Sequence, residues 1–429
     1  MEQSKLFEFH QGLTVLDKLK QGLESLVRYI PPEETTYDTH GLFPYVAKFM
    51  PQYPNVFIRF LTKKGETVLD PMCGSGTTLI ESVLLNRNAI GIDIDPLARK
   101  ISKVATTPVD DSRLRLLERG FLNHLDNVRG NAKADNYSSS MFPNHELWFR
   151  EDVLADIFFI RDEAKFYLAD EDLQDLSQVV LASIIKGVSN ADPRDIFPEI
   201  DHEKPINQEA DVFKSFKEAL KTSVRKVRQF TNKYNENKVN AKIVGSDARK
   251  IDLPDESVSL VATSPPYAYA MDYVRIHKLV LFAVLGMSNE ELLNLSRQYV
   301  GTDKVSTREA MDDFDRIEFA RDFVETLKKE RKSRAIALWR YLVDMRDITA
   351  ECARVLERGG HFVYVIGNAT LRGREFSTAD ALRRMGESYG LSTVLTFERP
   401  YYARRMGKNR ADHSAVTKAD IFILFRKPK

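Results

Sequence analysis

The chain has 429 residues, enough for one large domain with insertions or for two domains, and its apolar share of 43% is ordinary for a globular protein. No run approaches the roughly 20 apolar residues of a membrane helix, and Met1-Glu2-Gln3-Ser4-Lys5 opens no signal core, so a cytoplasmic protein with no membrane partner is expected. Two cysteines far apart, Cys73 and Cys352, predict a reduced compartment and no metal site, while a net charge of +1 means that any polyanion must meet a local basic face.

In chain order, residues 1–60 read as a helix followed by loop, with Tyr37 to Pro54 irregular. Thr67 to Asp70 is a strand, followed by a helix through Leu79 to Leu85. Ala89 to Ile94 is a second strand, and Pro96 to Val104 starts the next helix. This alternation predicts an α/β fold with a parallel, doubly wound sheet. From about Thr107 to Val239 the pattern is helical, as in Leu173 to Val188 and Val212 to Phe230, and reads as an inserted helical subdomain. Strands resume at Lys242 to Val244 and Ser259 to Ala262, with a helix at about Arg275 to Leu285 and a loop-rich piece through Lys304. One long helix is expected from Asp315 to Leu356, capped by Gly359 and Gly360. The strand His361 to Ile366, the helix Thr378 to Ser388, and the strands Thr393 to Phe397 and Asp420 to Phe425 complete the pattern.

Three basic clusters stand out: Arg225-Lys226-Val227-Arg228, Lys328 to Arg334, and Arg399 to Arg410. Each reads either as a solvated face or as a phosphate contact. The last interleaves Tyr401 and Tyr402 with Arg404, Arg405 and Lys408, as surfaces for unpaired bases do.

Two motifs carry chemistry. In the first, the strand ending at Asp70 runs into Pro71-Met72-Cys73-Gly74-Ser75-Gly76-Thr77-Thr78. Gly74 and Gly76 allow a sharp turn and close approach of a ligand, with free helix N–H groups behind them. Alone they mark only a strand-to-helix turn. The third glycine of a dinucleotide fingerprint is missing, and Asp70 would serve a pyrophosphate poorly but a cationic methionine moiety well. Asp93 ends the second strand, where an acid is able to accept both ribose hydroxyls.

In the second, the apolar Leu260-Val261-Ala262-Thr263 runs into Ser264-Pro265-Pro266-Tyr267. An exocyclic amino group on a nucleobase is a poor nucleophile, because its lone pair is delocalised into the ring. Two fixed acceptors near its N–H bonds would draw it toward tetrahedral geometry. The Ser264 hydroxyl oxygen and the Pro265 carbonyl meet that need on a backbone stiffened by Pro266, and Tyr267 offers a stacking face.

Asp70 to Thr78 resembles the S-adenosylmethionine motif of the N4/N6 DNA amino-methyltransferases, with Met72 where phenylalanine is commoner. Gly91 to Pro96 is similar to the family's second strand, and Gly245-Ser246-Asp247-Ala248-Arg249 to its third. Residues 38–106 and 240–425 share the resemblance. It implies a Rossmann-like doubly wound methyltransferase sheet with a helical insertion, and S-adenosyl-L-methionine as cofactor. Asp70, Pro71, Cys73, Gly74, Gly76 and Thr77 would hold that cofactor, Asp93 its ribose and Asp247 its adenine amino group. His40 and Lys48 lie in a segment similar to the one that closes over the methionine end, or else are plain loop residues.

Ser264, Pro265, Pro266 and Tyr267 would act on a base flipped from DNA. A serine at the first position is commoner with cytosine N4, and aspartate or asparagine with adenine N6. The resemblance therefore favours cytosine, with adenine N6 as alternative and an RNA methylase or a non-catalytic cofactor-binding subunit behind it. Restriction-modification or phage defence, with a cognate restriction endonuclease, is the implied setting. The expected division is 1–60 as N-terminal helix and closing segment, 61–106 as cofactor part, 107–239 as helical insertion and 240–429 as base-binding part. Target recognition would fall to 107–239 or to 399–410. The oligomeric state is left open.

Overall fold

Apolar residues on alternate faces of short strands build the centre of the molecule. The computed structural model describes residues 13–28, 30–132, 142–200, 207–234, 238–268, 272–306, 308, 310–371, 374–400 and 419–429. The strands are β1 (Thr67–Asp70), β2 (Asn88–Ile92), β3 (Ala241–Gly245), β4 (Val258–Thr263), β5 (Leu356–Ile366), β6 (Ala369–Leu371), β7 (Arg374–Phe376), β8 (Ser392–Pro400) and β9 (Ala419–Arg426). Seven form one sheet in the order β3-β2-β1-β4-β5-β9-β8, and β6 and β7 make a separate hairpin. The pairings among β3, β2, β1, β4 and β5 are parallel, whereas β9 is antiparallel to both β5 and β8. The expected α/β doubly wound sheet is present.

Side chains two apart share a face. Val68, Leu260, Ala262, Val363 and Val365 pack on the helices Val15–Ser25 and Gln52–Leu61. Their neighbours Leu69, Val261, Phe362 and Tyr364 pack on the opposite face, against Leu338, Leu342 and Met345 of the helix Lys332–Val355. The helices Glu151–Tyr167, Glu171–Val188 and Val212–Tyr234 bury Ile157, Val180 and Val224 in a core shared with Ile80 and Val83 of the helix Thr77–Leu84. The helical stretch thus packs directly against the cofactor-side helix. Among the described residues no helix is long and apolar enough to cross a membrane.

Several expectations need correction. The long helix expected from Asp315 is two helices, Arg321–Glu330 and Lys332–Val355, broken where Arg331 takes an extended conformation. The break lets the two helices fold against each other, with Val324 and Leu327 in the same core as Ala335 and Leu338. Gly359 and Gly360 do not cap it. The helix ends at Val355, and Lys427 Nζ caps it by donating to the carbonyls of Ala353 (2.9 Å) and Leu356 (2.7 Å). Gly359, at φ 82°, instead lies in the irregular start of β5, where the register with β4 shifts. The segment read as irregular to Pro54 turns helical at Gln52, with Pro54 inside the first turn, where its missing N–H costs no bond. Asn289–Gln298, read as loop, is a helix started by a capping box between Ser288 and Glu291.

Candidate active site

The chain moves outward from β1 through β2 to β3, then restarts beside β1 at β4 and continues to β5. The order reverses between β1 and β4, the position where open α/β sheets bind ligands beyond the strand ends. Val68 pairs with Leu260 and Leu69 with Val261, so Asp70 and Ser264 leave neighbouring strands at the same edge of the sheet. The Thr78 hydroxyl ties the two motifs, donating to Asp70 Oδ2 at 2.6 Å and approaching the Ala262 carbonyl at 3.4 Å.

One cleft of roughly 850 Å³, open to solvent, is lined from both motifs. Its wall includes Asp70, Pro71, Cys73, Gly74, Thr77, Asp93 and Asp247, together with Lys48, Ser264 and Pro266. Gly76 shapes the turn behind it, at φ 81°, where an added Cβ would stand 3.0 Å from Ser102 Cα. Gly74, at φ 51°, leaves space under the Tyr45 ring. Pro265, buried, and Tyr267, half-buried, are not among the residues that line the cleft. The Tyr267 hydroxyl is directed at Asp420 on β9.

Two acids dominate the electrostatics. Asp93 accepts the Gly74 N–H at 2.7 Å and the Asp95 N–H at 2.9 Å. Burial, reinforced by the Asp95 charge, pushes its carboxyl up to about 7. Burial likewise pushes Asp70 up to about 6, against the pull of its Thr78 hydrogen bond. Asp247 also faces the cleft, with Arg249 of the same turn on its carboxylate at 2.9 Å and Arg249 in turn on Asp344 at 2.9 Å.

His40 does not line the cleft. Its ring is buried and donates from Nε2 to Glu81 at 2.7 Å, and burial holds it neutral. Only its backbone carbonyl serves the wall, by accepting from Lys48 Nζ. Lys48 does line the cleft, and burial beside Lys226 lowers its ammonium to about 7.

Sequence reading missed an aromatic wall. Tyr45 stacks on Tyr273 at 5.9 Å and Tyr273 on Tyr299 at 6.3 Å, and all three rings face the cleft. Each comes from a different chain segment, so no local spacing announces them. Behind them His277 Nδ1 lies 3.4 Å from Asp95, another buried pair without a sequence signal. Of the basic-aromatic run 399–410, positions 401–410 lie outside the described residues, as do 269–271 of the segment after the second motif.

Residues 26–104 match the N6/N4 methyltransferase family, described as DNA methylase. Along nearly its whole length the chain is similar to the Type II methyltransferase M.MvaI of Kocuria varians, 22% identical over 445 residues covering 96% of each. These similarities support a DNA amino-methyltransferase. It is also similar to the Type II methyltransferase M.BsoBI of Geobacillus stearothermophilus, 27% identical over 56% of this chain and 51% of that one. Among solved structures, a TehB-like SAM-dependent methyltransferase from Corynebacterium glutamicum aligns at 9% identity over 87% of the methylase and 86% of that chain, with a TM-score of 0.30.

The cofactor of the methylase is S-adenosyl-L-methionine, and the cleft suits it. Thr77 Oγ1, buried in the wall, has no hydrogen-bond partner among the described residues. A ligand hydroxyl, amine or carboxylate would satisfy it. The acids Asp70 and Asp93 favour a ligand that is cationic at that end and disfavour a phosphate.

Proposed function

We propose that this methylase transfers a methyl group from S-adenosyl-L-methionine to N4 of cytosine in DNA, at one target sequence, as a cytoplasmic enzyme of a Type II restriction-modification system. The observation that carries the reading is the shared edge of β1 and β4, which brings the glycine turn and Ser264 into one cleft. The cofactor supplies an electrophilic methyl group on a sulfonium, so the protein's task is to seat it and to present the amino nitrogen.

In this reading Gly74, Gly76 and Thr77 cradle the methionine moiety, with Asp70, Pro71 and Cys73 beneath it and Lys48 at its end. Asp93 accepts the ribose hydroxyls and Asp247 the adenine amino group. On the base side, Ser264 Oγ and the Pro265 carbonyl accept the two N–H bonds of the amino group, and Pro266 keeps their directions fixed. Tyr267 stacks on the base. The group transferred would form an N–C bond as its bond to sulfur broke, and the nitrogen would shed one proton to solvent. Rate arises from alignment of the reacting atoms and fixed dipoles, without a covalent enzyme intermediate. The helical stretch 107–239 is assigned to target reading, and its shared core with the cofactor-side helix would hold it in register with the cleft.

Nucleoside analysis by mass spectrometry of DNA treated with enzyme and cofactor tests the assignment. N4-methylcytosine is expected. N6-methyladenine would transfer the reading to the other base, and methyl groups on RNA or protein alone would reject DNA as substrate.

A further inference from the structure

The break between the helices Arg321–Glu330 and Lys332–Val355 forms an elbow whose position and charge have a use. Lys328, Lys329, Arg331 and Lys332 are exposed there. Lys328 has Glu325 at 3.4 Å, and Glu330 is taken by Arg374 of β7 at 2.8 Å. Neither Lys329 nor Lys332 has an acidic partner among the described residues. Lys332 stands in the first turn of a helix with no acid in that turn, where the helix dipole disfavours a cation. Helix stability does not explain it.

Topology places the elbow. The helix Lys332–Val355 ends beside Leu356, which pairs with Val258 at the start of β4. It therefore begins at the opposite edge, the edge where β4 delivers Ser264. Along it Ile348 lines the cleft, and Tyr341 lies in the core against which Tyr267 packs. Lys332 lies about two and a half turns beyond Tyr341, roughly 14 Å further out at 1.5 Å per residue. The elbow therefore stands at the outer end of this helix, on the side of the edge that carries Ser264.

In the other clusters, Lys226, Arg228 and Arg399 are engaged within the fold, while 401–410 lie outside the described residues. Lys226 Nζ donates to the Gly41 carbonyl at 2.8 Å, and Arg228 bonds Asp111 at 2.7 Å. Arg399 donates to the carbonyls of Leu26 (2.7 Å) and Arg28 (2.8 Å).

We propose that the elbow, through Lys329 and Lys332, grips the phosphate backbone of duplex DNA beside the target base. This rests on the reading of the cleft as a DNA-base site. The contact positions the duplex and carries no sequence information.

The test is DNA binding by the full chain across a salt series of about 50 to 300 mM, for the native protein and the double variant Lys329→Glu/Lys332→Glu. The uncharged pair Lys329→Gln/Lys332→Gln serves if charge reversal disturbs folding. Each lost phosphate contact should flatten the log–log salt slope by about 0.9, so the slope should fall by about 2. Affinity should drop equally for target and non-target duplexes, while cofactor affinity and melting temperature stay unchanged. A variant with the native slope and affinity overturns the proposal, even if the native enzyme methylates DNA. A native protein that neither binds nor methylates DNA overturns the reading of the cleft as well.

Discussion

The Tyr267 hydroxyl lies 3.4 Å from Asp420 Oδ1, while the Tyr53 hydroxyl donates to Oδ2 of the same carboxylate at 2.7 Å. The base loop is thus tethered to β9 and, through Tyr53, to the N-terminal helices. Tyr267→Phe keeps the ring and loses the tether, worth about 0.5–1.5 kcal/mol, so it should slow transfer about tenfold at most. Tyr267→Ala also loses stacking worth roughly 1–3 kcal/mol and should weaken binding of DNA carrying an extrahelical base. Single-turnover transfer and DNA affinity separate the two variants.

Cofactor affinity should depend on pH. Asp70 at about 6 and Asp93 at about 7 both stand above the ordinary 3.8, so in the free enzyme they hold protons that the unfolded chain has released. Their contribution to stability is therefore full below 3.8 and declines as the pH rises through 6 and 7. A cationic ligand needs the ionised forms. Affinity should rise over the same interval and level off above it, with protons released on binding. Calorimetry in buffers of different ionisation enthalpy measures this, and Asp93→Asn should remove the upper part of the pH dependence.

Glu81, on the cofactor-side helix, receives His40 Nε2 at 2.7 Å, the Tyr37 hydroxyl at 2.6 Å and Asn55 Nδ2 at 2.6 Å. Burial raises its carboxyl, but these donors outweigh burial and hold it below the ordinary 4.5. Its contribution is therefore present above 4.5 and lost as the pH falls through its lowered value. Glu81→Ala leaves the buried His40 donor and the half-buried Tyr37 and Asn55 donors unpaired and should cost about 1–3 kcal/mol in urea unfolding, with Lys48 displaced and cofactor affinity reduced.

Gly76→Ala adds a Cβ at 3.0 Å from Ser102 Cα in a left-handed conformation. Strain of about 1–2 kcal/mol should lower the melting temperature, and the distorted turn should weaken cofactor binding measured by calorimetry.

The parts of the site readable from sequence are those where the backbone is dictated locally. Gly74 and Gly76 allow a left-handed turn that other residues would strain, Pro265 and Pro266 stiffen another, and apolar runs before each mark buried parallel strands. The order of strands then brings both turns to one edge. The rest depends on contacts between distant segments. Tyr45, Tyr273 and Tyr299 form their wall only after three segments meet, and Glu81 has no local mark as a hub. His40 was legible as part of a motif, but only the fold shows its ring turned away from the cleft. The elbow at Arg331 was hidden because Lys328 to Lys332 all favour helix. The helix Asn289–Gln298 did carry a readable signal in Ser288 and Glu291.

The most direct measurement is the single-turnover rate of methyl transfer to target DNA by Ser264→Ala, with cofactor and DNA affinities determined on the same preparation. The account predicts a rate lower by about 10²-fold, the scale of removing one fixed dipole from a reacting centre, at unchanged affinities. A native rate in that variant would contradict it.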